Sequence, residues 1–274
     1  MNHALGNQNR YSVSSTKNDK PNQGFENSIF TTAVGTSFEQ YRNIYTSLTL
    51  YASHDDLRTN SSASTSLQNQ KGKFNEIAGE YGFTNDQRNR KFAPTSGSIT
   101  SFTQSLPFYA DKPFISNSLS SSVYKSFGEN VISSGRISLD AINGLKNENV
   151  RLSKRKIVST KRLRGFEKGK VGPVDGTDHI GGNYVATLNF DAKLPNFLPE
   201  SYNTDLGFFV DFGNIWGVDY DSSIDESSTL RSSTGLAASW LSPLGPLSFT
   251  LATNLAKAST DKTESFNFSL GTQF

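Results

Sequence analysis

The segment Tyr184-Val185-Ala186-Thr187-Leu188-Asn189-Phe190-Asp191-Ala192-Lys193-Leu194 decides the fold class. Tyr184, Ala186, Leu188, Phe190, Ala192 and Leu194 alternate with Thr187, Asn189, Asp191 and Lys193. A period of two places these sets on opposite faces of an extended strand. The pattern returns downstream with Leu206, Phe208, Val210 and Phe212 in 204–216, and with Leu230, Leu236, Ala238 and Trp240 in 230–240. Leu247, Phe249, Leu251 and Leu255 continue it in 247–255, and Phe266, Phe268, Leu270 and Phe274 in 264–274. Upstream, weaker alternation predicts strands at 9–17, 29–38, 44–53, 74–84, 98–107, 115–127 and 131–145, about twelve strands in all.

Alternation over about ten residues suits a strand tilted across a bilayer, although strands of a two-sheet sandwich alternate as well. The connections separate the two. Those after Ser53, Leu145, Trp216 and Leu255 are long, those after Phe38, Phe127, Leu194 and Leu241 are short, and the one after Thr84 is intermediate. Long loops at one rim and short turns at the other are a property of membrane barrels. The sequence therefore predicts an all-β fold, an antiparallel transmembrane β-barrel. Even-numbered residues of 184–194, 206–212 and 266–274 are expected to point away from the lumen, with Asn189, Asp211 and Gly271 pointing inward or edging a seam.

Composition agrees. Across 274 residues the hydrophobic share is 34% while aromatics reach 12%, and the formal net charge is +2. A mean hydropathy of −0.49 is polar for a soluble core but suits a barrel with a wet lumen and a lipid-facing outside. Near-neutral charge implies no nucleic-acid partner. Cysteine is absent, which excludes disulfides, thiol catalysis and thiolate metal sites. No apolar run is long enough for a transmembrane helix, and residues 1–20 hold no apolar stretch of the kind a secretory leader needs.

No catalytic constellation, cofactor site or metal site is predicted. His3, His54 and His179 lie in polar segments at no metal-ligand spacing and read as solvated loop residues. No serine sits in a nucleophile elbow. Asp175, Gly176 and Asp178 resemble a calcium loop only superficially. The polar stretch His54 to Lys73 reads as a mobile surface loop.

The longest segment that reads as neither strand nor helix covers about residues 146–183. It carries Lys154, Arg155, Lys156, Lys168 and Lys170, six glycines, and at its centre Lys161-Arg162-Leu163-Arg164-Gly165-Phe166. Long irregular loops inside a domain are usually functional. Gly181-Gly182-Asn183 opens the next strand, followed by Val210-Asp211-Phe212-Gly213-Asn214-Ile215-Trp216, by Trp240-Leu241-Ser242-Pro243-Leu244-Gly245-Pro246-Leu247, and by the terminal Phe266 to Phe274. In this order, over residues 161–274, these motifs resemble the BamA-type outer-membrane assembly barrels, the bacterial surface antigen family. Before residue 130 the resemblance rests on strand rhythm and on a Pro94-Thr95-Ser96-Gly97 turn.

The resemblance implies a roughly sixteen-stranded barrel in the bacterial outer membrane, which folds and inserts other barrel proteins and works with accessory assembly lipoproteins. Residues 1–274 would then be one C-terminal barrel domain holding about twelve strands, starting near the family's fifth strand, with no periplasmic repeat domains. Outer-membrane lipids and unfolded outer-membrane proteins are the implied partners, and no enzymatic activity follows. The loop is expected to enter the lumen, where Arg164, Gly165 and Phe166 form a latch against Asp211, Gly213 and Asn189 of the inner wall. Parity places Asp211 inward, and a guanidinium meets a carboxylate bidentately. Where the family often has a second acidic residue, this chain has Asn189, which predicts a weaker latch. Phe266, Phe268, Leu270, Gly271 and Phe274 would form one side of an opening seam. A translocation pore of the same superfamily and a passive porin or structural outer-membrane protein are the alternative functions.

Overall fold

The computed structural model describes residues 8–18, 24–128, 131–194, 198, 204–242 and 245–270. Twelve strands form one antiparallel sheet in which each strand pairs with its neighbours in sequence. They are β1 (Gln8–Asn18), β2 (Phe25–Tyr41), β3 (Ile44–Thr59), β4 (Gly72–Asp86), β5 (Gly97–Ala110), β6 (Phe114–Phe127) and β7 (Val131–Gly144). After the long loop, which holds its own small hairpin β8 (Val174–Asp175) and β9 (Asp178–His179), come β10 (Tyr184–Leu194), β11 (Thr204–Trp216), β12 (Arg231–Ser242), β13 (Gly245–Ala256) and β14 (Phe266–Leu270). β1 and β14 lie at the two ends of the strand order, and no pairing joins them among the described residues. Gly271 and Phe274 lie outside the described residues, as do Pro243 and Leu244 of the expected turn.

The two faces of the sheet differ as the alternation predicts. On β11, Phe208 is 57% exposed and its neighbour Phe209 is 1% exposed. Leu188, Phe190, Phe266 and Phe268 are exposed, whereas Val185, Thr187, Asn189 and Asp211 are buried. A sandwich would bury Phe208 and Phe268 between sheets. Here they stand on an apolar outer surface, and the buried face is covered by the loop between β7 and β10. That loop bonds to side chains of β3, β4, β6, β7, β10, β11, β12 and β13. One segment touching the same face of so many strands requires the sheet to curl around it. The architecture is an incomplete barrel with a filled interior.

The connections follow the predicted rhythm with two departures. Segments 60–71, 145–183, 217–230 and 257–265 share one rim, with 42–43 and 128–130 at the other. The three-residue link 111–113 lies at the long-loop rim, and 87–96 makes a longer link at the short-turn rim. The latter is ordered by its own bonds: Arg88 forks onto Asp86, and Asn89 Oδ1 accepts from the backbone of Thr95.

The stretch His54 to Lys73 is corrected. It is not a mobile loop: β3 runs on to Thr59, β4 starts at Gly72, and between them lies a single-turn helix α1 (Thr65–Gln68). Ser64 caps the helix by accepting from the Leu67 amide at 3.1 Å. Leu67 is fully buried and packs with Phe25, Leu57, Ala63, Leu152, Ile180 and Val218. The alternation fades here because these residues lie beyond the apolar band, where both faces of the sheet can be polar. The ladder nevertheless continues through Glu26 opposite Arg58.

Candidate functional site

Arg164 sits where the loop crosses the inner wall of β10–β12. Its Nε donates to Asp211 Oδ2 at 2.7 Å and its Nη2 to Asp211 Oδ1 at 2.6 Å, a two-pronged ion pair. The Arg164 backbone N–H adds a third bond to Asp211 Oδ2 at 3.0 Å. The guanidinium lies 3.8 Å from the ring centroid of Phe209, a cation–π contact two residues before the carboxylate on the chain. Burial works against the charge on Arg164, but Asp211 and Asp191 outweigh it and hold its proton more tightly than usual.

The second carboxylate is Asp191, not position 189. Arg164 Nη1 donates to Asp191 Oδ1 at 2.7 Å. Asn189 instead braces Asp211: its Nδ2 donates to Asp211 Oδ1 at 2.7 Å and to the Arg162 carbonyl at 2.8 Å. The substitution expected to weaken the latch is thus accompanied by an acid two residues along the same face of β10. Parity alone could have found it, because Asp191 shares its face with Asn189. Gly213 has a different part. A Cβ there would come within 3.1 Å of Thr187 Cγ2 on β10 and only into ordinary contact with Leu163 Cδ1 of the loop at 3.4 Å, so the glycine chiefly makes room for its cross-strand threonine.

Gly165 and Phe166 complete the crossing. The Gly165 carbonyl accepts from Asn254 Nδ2 at 2.9 Å, and the Arg164 carbonyl from Ser233 Oγ at 2.5 Å. Phe166 is buried with Val158, Leu163, Val171, Val185 and Ile215. Gly165 adopts φ +83°, and a Cβ on it would approach Ala252 Cβ to 3.0 Å. Strain in that left-handed region together with the crowding sets the cost of Gly165→Ala at about 1–3 kcal/mol. Faster cleavage of the loop by a protease that cuts after Lys168 and Lys170 is the expected readout, and wild-type resistance in the variant contradicts it.

Further ion pairs fasten the loop and were not legible in the sequence. Arg151 donates to Glu76 Oε2 at 2.7 Å and to Asp55 Oδ2 at 3.4 Å, with all three side chains almost fully buried. It lies against the rings of Phe74 and Phe114, and Lys154 joins Glu76 at 3.1 Å. Arg162 pairs with Asp140 of β7, and Arg155 with Asp219. At the long-loop rim Arg231 pairs with Asp261 at 2.7 Å and with Glu226, while Asp261 also accepts from the Gly172 amide at 3.2 Å. The loop is therefore clamped to β3–β4, to β7 and to β10–β11.

His179 is also corrected. It is buried, not solvated, and its Nε2 donates to the Thr260 carbonyl at 3.1 Å. His54 lies on β3, bonded to Asn75, and is not part of a loop. Burial pushes the His179 pKa below its ordinary value, partly offset by the Thr260 bond. The undocked ring takes a proton near pH 6.5 while the docked ring resists it, so docking is strongest above that pH and weakens as pH falls through it. Relative to the intrinsic rate of an unprotected amide at each pH, hydrogen exchange at the Ile180 amide, bonded to the Pro173 carbonyl, should accelerate between pH 7 and pH 5. The acceleration should vanish in His179→Gln, and its persistence there would rule out this histidine as the cause. Asp175 and Asp178 serve as acceptors, from Tyr220 Oη at 2.7 Å and from the Gly24 amide at 2.8 Å. Among the described residues no cluster of His, Asp and Glu is arranged to hold a metal ion.

Comparison with known proteins bears on this geometry. The Omp85 superfamily domain matches residues 3–274. The chain is 31% identical over 115 residues to the outer membrane protein assembly factor BamA of Neorickettsia risticii, covering 41% of this chain and 16% of that protein. It is 30% identical over 141 residues to BamA of Neisseria meningitidis, covering 41% of this chain and 17% of that one. The chain thus spans only a small part of the curated relatives it matches. The crystal structure of BamA from Haemophilus ducreyi lacking POTRA domains 1–3 superposes with a TM-score of 0.85 at 20% identity, over 96% of this chain and 58% of that one.

Proposed function

This chain belongs to the Omp85 superfamily, and from that premise we propose that it is the barrel wall of an assembly factor that folds and inserts β-barrel proteins into the bacterial outer membrane. Its outer face carries the apolar side chains a bilayer requires, Leu188, Phe190, Phe208 and Phe268 among them. Its interior is occupied by a loop clamped with ion pairs, which is unsuited to passive diffusion. No step of this function needs covalent chemistry. The wall supplies shape and an end strand, and accessory lipoproteins are the expected helpers.

The observation that carries the reading is the place of β14 at one end of the sheet order. An end strand can template an incoming strand through main-chain hydrogen bonds. Phe266 and Phe268 give β14 the outward apolar side chains that a growing membrane sheet would continue. An unfolded outer-membrane protein is the partner that fits such an edge.

These 274 residues hold no cysteine, so a single cysteine placed among them is unique within the barrel wall. Asn267→Cys on β14 and Thr250→Cys on β13, each in the whole protein in native outer membranes, are to be oxidised in the presence of a stalled client that carries one cysteine in its last strand. A disulfide adduct from position 267 and none from 250 is expected. Equal capture at both positions, or at neither, would remove β14 as the client-binding edge.

A further inference from the structure

The lipid-facing side of β4–β6 carries side chains that neither the latch nor the end strand uses. Tyr81 Oη donates to Gln104 Oε1 at 2.6 Å, and Gln104 Nε2 donates to Asn117 Oδ1 at 2.5 Å. The register sets Tyr81 opposite Gln104, and Gln104 opposite Asn117, so the bonds form a row across three strands. The row is on the outer face: Phe83 opposite Phe102 and Phe102 opposite Leu119 share its parity, and the Tyr81 ring lies 5.9 Å from that of Phe83. Gln104 sits between Phe102 and Leu106 along β5, and Asn117 between Ile115 and Leu119 along β6. The row is therefore inside the apolar band and not at its rim.

A carboxamide offers two N–H donors and an oxygen that accepts twice. The row uses one Gln104 donor and one acceptor position on each amide oxygen. It leaves the second Gln104 N–H and both Asn117 N–H groups directed to a region where hydrocarbon can accept nothing. We propose that this row is a contact site for a second copy of the chain in the plane of the membrane. Phenol and carboxamide each donate and accept, so a two-fold axis through the row matches donors of one copy with acceptors of the other, and the reverse. No ionised group is present to call for a charged partner. Phe102, Leu106 and Leu119 would pack around the polar centre. Polar contacts between membrane-embedded proteins are individually modest, so the association is reversible.

Leu119→Cys places a thiol beside the row without altering it, and Leu236→Cys on β12 places one on a distant part of the same outer face. Each variant, as the full chain in native outer membranes, is to be treated with a short bifunctional maleimide. The expected result is a covalent dimer several times more abundant from position 119 than from 236, falling to the level of 236 when Gln104→Leu and Asn117→Leu are added. Equal yields from both positions would overturn the proposal, as would a dimer at 119 that survives the two leucine substitutions, or an adduct with a different protein in place of the dimer. Blocking of Leu119→Cys by a membrane-impermeant maleimide would put the face in water and overturn the proposal through its premise. Retained assembly activity in the Gln104→Leu, Asn117→Leu protein would show that the barrel still folds and that the contact is separable from client insertion.

Discussion

Arg164→Ala should destabilise the docked loop by about 3–5 kcal/mol, the range for removing one partner of a buried ion pair. The size follows from what is left behind. Asp211 is fully buried and receives two bonds from the guanidinium and one from the Arg164 amide. Without the side chain it keeps the amide and Asn189 Nδ2, neither of which carries charge. Asp191 loses its ion-pair partner as well, but it is partly exposed and can be hydrated. Arg164→Lys should recover only part of the loss, because an ammonium cannot reach both Asp211 oxygens as a planar fork does. Urea unfolding in lipid vesicles, run alongside protease cleavage after Lys168, separates global from local loss. A loop that stays resistant in Arg164→Ala, with an unchanged unfolding midpoint, would show the latch to be energetically silent.

Arg231→Ala is expected to have an effect of the same order, about 3–5 kcal/mol, at the long-loop rim. The Arg231 and Asp261 side chains are fully buried, and Glu226 reaches the same guanidinium. Asp261 additionally holds the amides of Gly172 and Ala258, and with Arg231 and Glu226 it ties the lumen loop to the segments on either side of the β12–β13 hairpin. The double variant Arg231→Ala, Asp261→Asn should be less damaging than the sum of its parts, because neutralising Asp261 removes the buried charge that Arg231→Ala leaves unpaired, even though the one asparagine oxygen can accept from only one of the two amides held by separate carboxylate oxygens. A double-mutant cycle measures this coupling. Strict additivity would mean that the two side chains do not stabilise one another.

The parts of the fold that could be read in advance are those with local signatures. Strands β10 to β13 follow from the alternation of Leu188 with Asn189 and of Phe208 with Asp211, because each face of such a strand meets one environment. Asp211 was legible because its parity opposes that of Phe208 and Val210. The extension of β3 and β4 past the apolar band was not, since His54, Asp55 and Asp56 there look like loop residues in isolation. The pairs Arg151 with Asp55 and Glu76, and Arg231 with Asp261, join residues far apart in the chain and leave no motif behind. His179 illustrates the same point, for its burial depends on Thr260, a residue of a different loop.

The central claim is that one face of the sheet meets lipid while the other is packed against the lumen loop. Single nitroxide labels on Val185→Cys, Leu188→Cys, Phe190→Cys, Phe208→Cys and Phe209→Cys, in the membrane-inserted chain, test it directly by collision with oxygen and with a water-soluble nickel complex. Labels at 188, 190 and 208 should collide often with oxygen and rarely with nickel, and labels at 185 and 209 should be slow-moving and shielded from both. Equal accessibility at 208 and 209, or high nickel collision at 188, 190 and 208, would contradict a barrel wall filled from within.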